Sequence, residues 1–194
     1  IGLLLLLLIT VVALALTVAA PVKAGDGPLG SRSYDEYDTP DNCGASCHTD
    51  IYQQWRQSMM AQSFTHHWDE IEYYKLAKPH AEKDTMVAGV KAGCMGCHAP
   101  LAFLAGDIPP APPSAGSRAN EGVFCDMCHS MTGFDGDTPF NFNFVSQPGE
   151  NKYGPREGDR SPAHKMVKSD FLHTAEFCGT CHNEKDPYGI WVKA

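Results

Sequence analysis

No cysteine of this 194-residue chain stands outside four short clusters, and no carboxylate dyad, nucleophile elbow or glycine-rich phosphate loop is present. Those absences leave no sign of hydrolytic or phosphoryl-transfer chemistry, whose residues recur at fixed spacing. Positive charge is scarce, with 15 Lys and Arg against 23 Asp and Glu and a formal net charge of −8. That balance argues against nucleic acid as a partner and for basic protein surfaces. Strand-like alternation is scant, and little β is expected.

What the chain does have is one pattern written four times. Cys43-Gly-Ala-Ser-Cys47-His48, Cys94-Met-Gly-Cys97-His98, Cys125-Asp-Met-Cys128-His129 and Cys178-Gly-Thr-Cys181-His182 use all 8 cysteines. Two thiols at this separation can reach the two vinyl groups of one porphyrin while the following imidazole ligates its iron, the pattern of covalent c-type haem. A zinc site gives no reason for a histidine after every pair, redox pairs do not come four to a chain, and structural disulfides would scatter the cysteines. Four c haems are expected. The first cluster holds three residues between its cysteines rather than two, and Gly44 is expected to ease the resulting bulge.

The 9 histidines leave His66, His67, His80, His164 and His173 once His48, His98, His129 and His182 are assigned as proximal ligands. Five free imidazoles for four sixth positions is close to a bis-histidine set, which closes every iron and points to electron transfer. His164 and His173 are the best distal candidates, flanking an apolar segment ahead of the fourth motif. His66 and His67 are adjacent, so on a helix they diverge by about 100° and one of the two is expected to ligate. His80 follows a proline at a helix start. Met60, beside Met59 on the helix after the first motif, is a thioether candidate against the plainer reading of core packing.

Residues 1–24 form an apolar segment that is either a cleaved signal peptide or a membrane anchor. Cleavage is favoured, because Val22-Lys23-Ala24 suits it and c haem is attached after export. Neither an initiator Met nor a basic region precedes the run, so a fragment is suspected. Residues 25–42 read as an exposed linker, and 43–194 as the tetrahaem domain, itself suspected of truncation at its end. Within it, helices are expected over Thr49 to Tyr74, over Ala81 to Lys91 after a break at Pro79, and over Ala163 to Phe177. Residues 108–117 read as an extended spacer. Thr132 to Pro162 read as a loop or short hairpin laying Phe140, Phe142 and Phe144 on a haem face, or as an ordinary small hairpin on the core. The fold class is mainly α with extensive loops and little β, a core built around haems, and a haem-free chain that folds poorly.

These residues resemble the multihaem cytochromes c grouped with the tetrahaem carrier of ammonia oxidisers and with the haem-rich core of hydroxylamine oxidoreductase. The resemblance covers about residues 42–194. It rests on Cys43…Cys47-His48-Thr-Asp-Ile-Tyr52-Gln-Gln-Trp55-Arg-Gln-Ser58, Cys94-Met-Gly-Cys97-His98-Ala-Pro100, Glu121-Gly-Val-Phe-Cys125-Asp-Met-Cys128-His129, and His164…His173-Thr-Ala-Glu-Phe-Cys178-Gly-Thr-Cys181-His182-Asn183. It implies distal ligation by His164 and His173. Many members carry His where this chain has Met60, and Asp186 to Ala194 resembles a point where relatives run on. The expected function is electron transfer by an exported protein, in the periplasm or on the extracytoplasmic face of the membrane. Its partners are redox proteins, a membrane oxidoreductase or other multihaem cytochromes, with membrane contact only if residues 1–24 are retained. The rival readings are a reductase of small nitrogen or sulfur compounds with one open iron, and a haem-wire subunit of a filament or larger complex.

Overall fold

Prolines and small caps start the helices. Thr39 accepts a hydrogen bond from Asn42 N–H ahead of Pro40–Gly44, and Pro100 opens Pro100–Ala105, which Gly106 closes in the left-handed region at φ 72°. The structure is a computed structural model that describes residues 28–158 and 161–193. The expected signal peptide or anchor, residues 1–24, lies outside the described residues. Among the described residues no helix is long and apolar enough to cross a membrane.

Short helices, turns and three two-stranded sheets alternate along the chain, the mainly α, loop-rich class expected. Helix Pro100–Ala105 is buried from Pro100 to Leu104 and divides the core between its sides. Leu101 and Leu104 join Tyr37, Phe124, Met127, Met131 and Phe144; Ala102 and Phe103 join Phe64, Tyr73, Met95, Ala99 and Ala119. Phe142 packs against both groups.

Several sequence expectations need correction. The segment before the first motif is anchored at some of its residues and exposed at others: Tyr37 is 4% exposed, the Tyr34 hydroxyl donates to Asp107 at 2.9 Å, and Leu29 to Ser31 lie at the surface. The first helix stops at Arg56, and turns carry the chain to His67–Ile71. There is no break at Pro79. A π-helical turn, Glu72–Ala77, leads straight into Lys78–Ala81, widening the ring just ahead of a proline that lacks an N–H and would clash with the preceding turn. The next helix, Val90–His98, starts later than expected and runs through Gly93 into the second motif.

The hairpin reading holds. β1 (Met131–Phe134) pairs antiparallel with β2 (Phe144–Ser146), with Phe144 buried in the core. The largest departure is Ala163 to Phe177, which is not a helix. β3 (Asn151–Gly154) pairs in parallel with β4 (Lys165–Lys168), a 3₁₀ turn follows at Phe171–His173, and helix begins only at Ala175. The backbone partners of β3 outweigh the helical spacing of Val167 and Phe171. A last hairpin joins β5 (Asn183–Lys185) to β6 (Trp191–Lys193).

Candidate haem sites

Each motif meets a helix end. The second closes Val90–His98, the third is the helix Cys125–His129, and the fourth closes Ala175–His182. The first straddles two helices: Cys43 lies in Pro40–Gly44, and His48 caps Thr49–Arg56 after a turn that absorbs the extra spacer residue. Gly44 serves a different purpose from the one expected. Its φ is not in the left-handed region, and a Cβ there would overlap the Tyr52 ring. Gly96, inside the second motif, likewise lies under the Phe142 ring, where a Cβ would collide.

All eight cysteines are free, and four of them meet across motifs. The Cys43 thiol hydrogen-bonds Cys125, which, with burial, holds it above its usual range. Cys97 bonds Cys181 in the same way and is raised for the same reasons, and its Sγ lies 3.8 Å from the Cys181 carbonyl oxygen. Helix Pro40–Gly44 packs on Cys125–His129, so the first and third motifs form one pair and the second and fourth another. Burial pushes the Cys128 thiol up to about 12. The partners in the two cross-motif pairs shift the other way: the same bonds hold the Cys125 and Cys181 thiols below their usual range. Among the described residues no three His, Cys, Asp or Glu converge on a metal-ion site.

The histidines fit haem iron. His98 Nδ1 lies 2.8 Å from the Ser63 carbonyl and His129 Nδ1 lies 2.6 Å from the Tyr153 carbonyl. A carbonyl oxygen only accepts, so each Nδ1 carries the proton and each Nε2 keeps a lone pair for a metal. The His48 and His164 rings stand with centroids 6.3 Å apart and planes 29° apart. Two imidazoles on opposite sides of one iron, each about 2 Å from it, would have centroids about 6 Å apart. His164 Nδ1 donates to the Lys165 carbonyl at 3.3 Å, which leaves its Nε2 free. The sequence paired His164 with no particular iron, and only the β3–β4 pairing shows the juxtaposition.

The other candidates are placed less favourably. His173 Nε2 donates to the Pro155 carbonyl at 2.6 Å, so its lone pair sits on Nδ1; it and His164 flank a strand rather than a helix. His66 Nδ1 lies 3.3 Å from Asp69 Oδ2. His67 is exposed, beside the Trp68 ring. His80 is exposed and 3.7 Å from Asp84, and His182 is exposed at the end of its helix. Met59 and Met60 sit in turns, 60% and 52% exposed, so neither packs in the core as expected.

Sequence reasoning missed the groups that hold the motifs. Asp126, between the cysteines of the third motif, is 1% exposed. Its Oδ1 accepts from Lys152 Nζ at 2.6 Å and its Oδ2 from Asp38 N–H at 2.8 Å, while Lys152 also reaches Asp38 at 2.8 Å. The one available signal was a carboxylate inside a buried motif. Opposite, Asn141 and Phe142 take positive φ of 45° and 55°, a region that asparagine tolerates and that is strained for the bulky Phe142. Hydrogen bonds from Phe142 N–H to Thr180 O at 2.6 Å and from Asn141 N–H to Asn183 O at 3.1 Å hold the turn on the fourth motif.

The family of cytochrome c554 and c-prime matches residues 42–130, a span that contains the first three motifs. The chain also superposes on the crystal structure of a penta-heme cytochrome c552 from Thermochromatium tepidum, with TM-score 0.50 and 21% identity, over 80% of this chain and 48% of that one. The fold is similar to that of a multihaem cytochrome c. The chain thus spans about half the length of the structure it matches. No curated protein matches it.

Proposed function

We propose that this chain is an electron-transfer cytochrome holding four c haems, each through the two cysteines and the histidine of one motif, with most irons closed by a second histidine. The observation that carries the reading is the packing of motif against motif, Pro40–Gly44 on Cys125–His129 and Cys97 Sγ 3.8 Å from the Cys181 carbonyl oxygen. Haems held at adjoining motifs would lie close to one another, which suits the passage of electrons without a reacting substrate. Bound c-type haem supplies a one-electron couple whose potential the protein sets through ligand, hydrogen bond and burial.

His48 and His164 would take the two sides of the first iron. Ser63 and Tyr153 orient His98 and His129 through their carbonyls, and the Phe142 turn holds the second and fourth motifs together. His173, His66, His67, His80 and Met60 supply candidates for the remaining sixth positions. Export before haem attachment, a place in the periplasm or on the outer face of a membrane, and docking to other redox proteins complete the proposal; the charge of −8 suits a basic partner surface.

The mass of denatured holoprotein tests the haem count. Four haems are expected, and three or fewer would overturn it. In the same preparation the reduced protein should bind little carbon monoxide, whereas a stoichiometric complex at one iron would favour a reductase of small nitrogen or sulfur compounds.

A further inference from the structure

The proximal histidine of the second motif has a carboxylate behind it. His98 Nδ1 lies 3.1 Å from Asp69 Oδ1 as well as 2.8 Å from the Ser63 carbonyl. The Nδ1–H bonds the Ser63 carbonyl, and the Asp69 carboxylate stands beside it at ion-pair distance. Asp69 stands in the first turn of His67–Ile71, with its other oxygen 3.3 Å from His66 Nδ1 and its side chain only 22% exposed. Ser63 closes the arrangement by donating its hydroxyl to the His98 carbonyl at 2.8 Å. His129, by contrast, leans on a backbone carbonyl.

We propose that Asp69 is a positioning residue that sets the reduction potential of the second haem below the value a carbonyl-bound histidine gives. A full negative charge 3.1 Å from Nδ1 makes the ring a stronger electron donor at Nε2, and a stronger donor stabilises ferric iron over ferrous. The partly buried setting keeps solvent from screening the charge. Ser63 fixes the ring plane and Asp69 supplies the charge. This inference rests on the haem reading above and assigns its second site a place at the reducing end of the haem set.

The test is a potentiometric titration of the holoprotein, followed by optical and low-spin EPR signals, for the wild type, Asp69→Asn and Glu72→Gln. Glu72 lines the same cavity as Asp69 and His98, so its amide removes an equal charge from the neighbourhood. In Asp69→Asn one midpoint potential should rise by at least about 59 mV, the one-electron equivalent of a tenfold change, with a change in one EPR signal; Glu72→Gln should give less than half that rise. Equal shifts in the two variants, or no shift in Asp69→Asn with all haems retained, would overturn the proposal. Should the amide cost the second haem, Asp69→Glu, with the charge on a longer arm, is expected to raise the same potential by a smaller amount, and an unchanged potential there counts against it. Wild-type protein whose mass lacks the haem at Cys94 and Cys97 would defeat the haem reading itself, whatever Asp69 does.

Discussion

Lys152 and Tyr153 are neighbours on β3, and between them they grip both ends of the third motif: the ammonium on Asp126, the carbonyl on His129. Burial alone would pull the Lys152 ammonium down, but its bonds to Asp126 and Asp38 outweigh that and leave it above its ordinary 10.5. The same bond from Lys152 holds Asp38 below its ordinary 3.8. Stability from the raised ammonium is therefore full below pH 10.5 and is lost as pH climbs through the folded value. Stability from the depressed carboxyl is present above pH 3.8 and is lost as pH falls through the folded one. Lys152→Met removes the cation and leaves the Asp126 carboxylate buried without a counter-charge, a change that typically costs about 3–5 kcal/mol. The holoprotein variant should show a clearly lower thermal midpoint, and adding Asp126→Asn should recover part of the loss. An unchanged midpoint would mean the triad holds nothing. At this scale the cysteines and their histidines were legible in the sequence, because haem attachment demands those residues at that spacing. Asp126 was not, because its partners lie 26 and 88 residues away.

Among elements, β4 was the least legible. Lys165–Lys168 carries no alternation strong enough to mark a strand, and its partner is a parallel strand with residues 155–164 between; parallel pairing is a tertiary event that local pattern does not carry. The helix through Pro79 was hidden similarly, since the π turn that admits a proline leaves no mark in composition. The placement of β4 has a functional consequence: it delivers His164 to His48. Replacing His164 with Ala should convert one low-spin haem to high-spin and open one iron to carbon monoxide, with the other haems unmoved. A variant with an unchanged low-spin spectrum would show that another side chain takes that position.

For the whole molecule, the core is thin where the sequence promised apolar faces. Ile51 and Trp68, both inside the stretch expected to form one helix, are 62% and 65% exposed, and the core proper gathers around one helix of six residues. Cohesion must come from elsewhere, and covalent haem supplies both apolar surface and staples. With the motif cysteines changed to alanine, the chain should lose its cooperative thermal transition and its protection against amide exchange, measured beside the holoprotein. A retained sharp transition would show that the side-chain core suffices. The general class, helical with loops and built around haem motifs, could be read from spacing; how the motifs meet in space could not, because about eighty residues separate the members of each pair.

That interleaving limits how such a chain can be divided. Its pairs are nested across one another, first with third and second with fourth, so a cut anywhere between Cys97 and Cys125 severs both at once. A tandem array of haem modules can be shortened or lengthened by whole units. An interlaced one behaves as a single piece of joinery, in which half the chain is not half a wire.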